Sequence, residues 1–94
     1  MPRDFNKAFA FFAASAAQGN AGGQLNLGLM YGMGQGTQVD NVRAYMWLDI
    51  AAAQGLQKAA YYREAARSRM ANADLNTARL MEQRCRQSNF KACG

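Results

Sequence analysis

Histidine is missing from this chain, proline occurs once, and only 6 of the 94 residues are acidic. Without an imidazole, and with its acids dispersed, the chain has few ways to assemble a nucleophile–base couple, so it is not expected to be an enzyme. Two cysteines without histidine are too few for a zinc site, and no cofactor is expected. The lone proline, Pro2, leaves the rest of the chain free of proline kinks. No apolar run approaches the roughly 18 residues needed to cross a bilayer. No charged segment, apolar stretch and cleavage site follow one another, so no signal peptide is expected within these residues.

What is present favours a folded helical domain. Apolar residues make up 50% of the chain and aromatics 11%, with alanine abundant. A length of 94 residues suits a single domain over 1–94 with a modest core. Charge is unevenly placed. Arg3, Lys7 and Arg43 balance Asp4, Asp40 and Asp49 up to residue 57. Beyond it, eight lysines and arginines face Glu64, Asp74 and Glu82, so the whole net charge of +5 lies in the C-terminal part. A basic surface of this kind serves solubility first, and an anionic ligand or nucleic acid second.

Beginning at Asp4, the pattern of Asp4, Lys7, Ala8, Phe9, Phe11 and Ala16-Ala17-Gln18-Gly19 returns 36 residues later. Its second copy is Asp40, Arg43, Ala44, Tyr45, Trp47 and Ala52-Ala53-Gln54-Gly55. A self-match at this interval marks a helical array in which each unit buries its apolar face against its neighbours. Asp4, Asn20 and Asp40 stand where helix N-caps are needed, and Gly19 and Gly55 where helices stop. Phe5, Ala8, Phe9, Phe12 and Ala16 form a helical stripe. Gly28 suits a close helix approach, whereas Gly22 and Gly23 are expected to fray the start of the second helix. Gly32, Gly34 and Gly36 follow a helix and lack a neighbouring lysine, so they read as a turn and not as a phosphate loop. A fourth helix is expected from Gln57 to Met70. A fifth, capped by Asn72, is expected to end near Gln87 with Leu75, Ala78, Leu80 and Met81 inward. Tyr61, Tyr62, Arg63 and Arg67 read as a solvated face in preference to a base-stacking patch.

Trp47 with Ala51-Ala52-Ala53-Gln54-Gly55 resembles the signature of the Sel1-like repeat, a relative of the tetratricopeptide repeat. Gly19-Asn20-Ala21, Gln24 through Tyr31, Gly34-Gln35-Gly36 and Asp40 through Ala44 are similar to that family's second helix, glycine turn and next repeat start. The departures are Gly22 and Gly23, Thr37-Gln38, and the helix after Gln57. The resemblance implies an all-α fold: an α-solenoid of two helix-turn-helix repeats, 4–39 and 40–71, plus a C-terminal capping helix and tail over 72–94. It also implies a bacterial source. Trp47 and its equivalent Phe11 are expected where the first (A) helix of each repeat packs on the second (B) helix.

The family's ligands dock on the face formed by the A helices. That implies a non-catalytic protein–protein interaction module contacting a protein or peptide through Asn6, Ala10, Ala13, Met46, Asp49 and Ile50. Lys7 and Arg43 would orient an acidic group from the rim. The alternative is an anionic ligand or nucleic acid at the basic C-terminal part. Cys85 and Cys93 are expected to form a disulfide, and the segment Ala78 through Cys93 resembles a C-terminal extension of exported relatives; both imply a periplasmic or secreted setting. Two free thiols in a cytoplasmic protein are the other reading. From Ala8 to Ala17 only Ser15 is polar, and Ala10, Ala13, Ala14 and Ala17 are expected on an outer face that a second copy could cover as a homodimer.

Overall fold

A computed structural model describes residues 4–93, so the expectations for Pro2 and Arg3 lie outside the described residues. Five helices follow one another: α1 (Phe5–Ala17), α2 (Ala21–Met33), α3 (Asn41–Ala53), α4 (Gln57–Arg67) and α5 (Asn72–Gln87). Three begin at side-chain caps, as their sequences dictate. Asp4 accepts from the Lys7 amide at 3.0 Å, Asn20 from Gly23 at 2.8 Å and Asp40 from Arg43 at 2.9 Å. Each cap satisfies one of the donors that a helix start leaves open. The two later helices depart from expectation. Helix α4 stops at Arg67, whose guanidinium folds over to the carbonyl of Met70 and to Asn72. Asn72 is therefore the first residue of α5, and the cap position falls to Ala71, whose amide donates to Asp74 at 3.2 Å.

Helix α1 packs on α2, α2 on α3, and α3 on both α4 and α5. Close approach between α2 and its neighbours depends on missing side chains. A Cβ on Gly28 would lie 2.8 Å from Leu48 Cγ and 3.2 Å from the carbonyl of Ala44. A Cβ on Gly23 would run into the Ser15 side chain, so Gly23 is a buried contact within an unbroken helix and not a frayed end. A buried polar chain ties the same helices together. Gln24 donates to the carbonyl of Ala16 at 3.2 Å and accepts from Gln54 at 2.7 Å, joining α1 and α2 to the end of α3.

Helix α3 is apolar round most of its circumference because neighbouring helices cover it from several sides. Ala44, Tyr45, Leu48 and Ala51 enter one cluster with Ala59, Ala66, Met70 and Ala78. Met46, Trp47 and Ile50 enter a second with Ala16, Leu27 and Cys85. Trp47 is thus a core residue, 5% exposed. Its repeat equivalent Phe11 is 61% exposed, contrary to expectation. The difference lies in the neighbours: α3 has helices on several sides, whereas α1 packs mainly on α2, which takes Phe9, Phe12 and Ala16 and leaves Phe11 facing out. Trp47→Ala should cost about 3–5 kcal/mol. Chemical denaturation followed by circular dichroism checks this; a variant with unchanged midpoint would remove Trp47 from the core.

Candidate functional site

The face expected to receive a partner is the one formed by α1 and α3, and α5 lies across its α3 half. Ala78, Glu82 and Cys85, spaced i, i+4 and i+7, are the buried stripe of α5. Leu80 sits about 200° from Ala78 around the helix and is exposed, correcting its assignment as an inward contact. Beyond Gln87 the chain turns back through Asn89 and Phe90, both with positive φ, and the Phe90 amide donates to the Cys85 carbonyl at 2.7 Å. A disulfide joins Cys85 to Cys93 and closes this hook. Phe90 and Cys93 pack into the cluster holding Met46, Trp47 and Ile50. The Phe90 ring also lies against Gly19, and Lys91 reaches the carbonyl of Ala17 at 3.4 Å, near the negative end of the α1 dipole.

The eight residues expected to contact a partner therefore do not form one surface. Met46 and Ile50 are fully buried, covered by α5 and its hook, and this corrects their assignment as contact residues. Ala13 is half-buried against the same cluster, so it is not part of a free outer face. Arg43 is held by Asp40 at 2.6 Å. Asp49 is held by Arg63 of α4 at 2.8 Å. Asn6, Lys7 and Ala10 remain exposed together on α1, next to Phe11.

A polar clasp fastens α5 to α3. Arg86 binds the carboxyl of Glu82 at 2.7 and 3.0 Å, Glu82 faces Asp49, and Asp49 is bound by Arg63, which also reaches Glu64 at 2.9 Å. Burial pushes the Glu82 carboxyl up from the usual 4.5 to about 7, and Asp49 beside it adds to the rise while Arg86 opposes it. A protonated Glu82 can donate to Asp49, which relieves the repulsion between the buried Glu82 and the partly exposed Asp49. Sequence reasoning assigned no role to Glu82 or to the Gln24 side chain. The spacing of Glu82 with Ala78 and Cys85 was the available signal for the first, and the place of Gln24 at the start of the family-like stretch Gln24 through Tyr31 was the signal for the second.

These helix pairs, with caps and glycine stops recurring at one interval, define a helical-repeat solenoid module. The Sel1 repeat family matches residues 1–20 and 21–56, and the chain belongs to that family. Over 54 residues it is 46% identical to an uncharacterized protein of Neisseria meningitidis serogroup B, a match covering 57% of this chain and 12% of that protein. The chain thus spans a small part of the length of the relative it matches.

The sign of the Glu82 effect is fixed by its raised value. The folded state holds a proton that the unfolded chain has already released, so the contribution is full below about pH 4.5 and is lost as pH rises through 7. Glu82→Gln keeps a donor toward Asp49 without the charge. It should be the more stable form at about pH 8, by roughly 1–3 kcal/mol, with the difference vanishing near pH 4.5. Denaturation midpoints of both forms across that range decide it; a constant difference would contradict the assignment.

Proposed function

We propose that this chain is a non-catalytic protein–protein interaction module whose contact surface is the outward face of α1. Sel1 repeats generally serve protein interaction, and no helix among the described residues is long and apolar enough to cross a membrane. The observation that carries the reading is the contrast between two equivalent positions: Trp47 is buried by its neighbours, while Phe11 stands exposed with Ala10 and Ala14 beside it. Small residues around one large ring let a second helix approach closely, and Lys7 and Asn6 lie where polar contacts would set its register. In the isolated domain the cheapest cover is a second copy using the same face, a two-fold dimer.

The alternative, an anionic ligand or nucleic acid at the basic part, is less well supported. Arg63, Arg67 and Arg86 are already bound to internal acceptors, and Lys91 lies beside the end of α1. The Cys85–Cys93 bond suits an oxidising compartment, the bacterial periplasm or exterior.

Sedimentation across the micromolar range tests the contact surface. The unmodified domain should self-associate, and Ala10→Arg and Phe11→Asp should each yield a folded helical monomer, with association weakened at least about tenfold. A monomeric unmodified domain would reject the dimer, and variants that associate as the parent does would place the contact elsewhere.

A further inference from the structure

The face opposite the hook carries a groove. Helices α2 and α4 barely meet, because Gly28 and Gly32 on one wall and Ala65 and Ala66 on the other are too short to close the gap. The result is a cavity of about 390 Å³ floored by Ala44 and Leu48 of α3. Its rim gathers Met33, Tyr61 and Tyr62, three of the six large apolar side chains that the described residues leave exposed. The two tyrosine rings meet edge to face at 5.3 Å. Clustering of this kind is not needed for solubility or for the core, and tyrosine, methionine and arginine are the residue types enriched where proteins bind.

The charge of the groove narrows its occupant. Arg69 is the one charged residue on the lining, no acid is present there, and its guanidinium has no partner among the described residues. Arg63 and Arg67 of α4 are engaged internally, so Arg69, just past the end of α4, is the cation on this lining left for a ligand. Asn41, also on the lining, leaves its Oδ1 buried without a hydrogen-bond partner. That atom has no surface open to the groove, so it takes no direct part in recognition.

We infer that the groove between α2 and α4 is a peptide-binding site for a partner segment in which a bulky apolar side chain is followed by a carboxylate. The apolar group enters between the glycine and alanine walls under the tyrosine rim, and the carboxylate pairs with Arg69. This site is on the B helices and stands or falls independently of the α1 surface.

The test is a titration of the isotope-labelled full chain, followed by amide chemical shifts, with the blocked dipeptide N-acetyl-Phe-Asp-amide and its control N-acetyl-Phe-Lys-amide. Saturable shifts are expected at the amides of Gly32, Asn41, Ala65 and Arg69, with a Kd in the millimolar range or below. Binding of the lysine control should be at least about fivefold weaker. Ala65→Trp, at an exposed position, should fill the groove and abolish the response, and Arg69→Glu should reverse the preference between the two peptides. Absence of saturable shifts at these amides would overturn the site, as would shifts confined to α1. Equal binding of both peptides would overturn the acidic partner. A sedimentation coefficient that falls on Ala65→Trp without peptide would assign the groove to a second copy instead.

Discussion

Burying one helix from several directions is the constraint on which this fold depends. Helix α3 supplies residues to both core clusters, Leu48 and Ala51 to one and Met46, Trp47 and Ile50 to the other. Such a helix gains nothing from water on any side, so its neighbours must be completed by the rest of the chain. Gly28 lets the α2 backbone come into contact with Leu48. Helix α4 takes a second side, and α5 with its disulfide hook takes the face that repeat geometry alone would leave open. Among these contacts the Glu82–Asp49 clasp is the costly one, because it places two acids together under a helix to hold that helix down.

Closure by α5 changes which surfaces are open to a partner. In a longer array the A-helix face would continue from one repeat to the next. Here α5 occupies the α3 part of that face, leaving the outward side of α1 and the gap between the B helices. The two differ in chemistry. The α1 face is an exposed Phe11 ring edged by Phe12 and flanked by alanines, suited to another helix, whereas the groove is concave with a cation on its lining, suited to a side chain and a carboxylate.

Local structure was legible in the sequence because it depends on local chemistry. Asp4, Asn20 and Asp40 cap helices as their side chains require, and Gly19 and Gly55 stop them with positive φ. The 36-residue interval correctly gave the helical repeat. Burial was less legible, since equivalence between repeats fixes a backbone position and not the neighbours around it. Phe11 and Trp47 share a position and differ in burial for that reason. Met46 and Ile50 looked like an exposed face because nothing in their own segment shows that α5 folds back over them. Alanine added to the ambiguity: Ala10 and Ala13 have the same side chain, yet one is exposed and the other packs against the core. The end of α4 was missed because Ser68, Arg69 and Met70 are compatible with helix, and only the Arg67 contacts to Met70 and Asn72 mark the turn.

The placement of α5 over α3 is the central structural claim, and methionine oxidation tests it directly. Met33 is 57% exposed and Met46 is 0% exposed, in a cluster to which α5 and its hook contribute Cys85, Met81, Phe90 and Cys93. Brief treatment of the native, disulfide-bonded protein with dilute peroxide, followed by peptide mass mapping, should convert Met33 to the sulfoxide while Met46 stays unmodified. Oxidation of Met46 as fast as Met33 in folded protein would show that α5 does not cover the A-helix face, and would return that face to the partner.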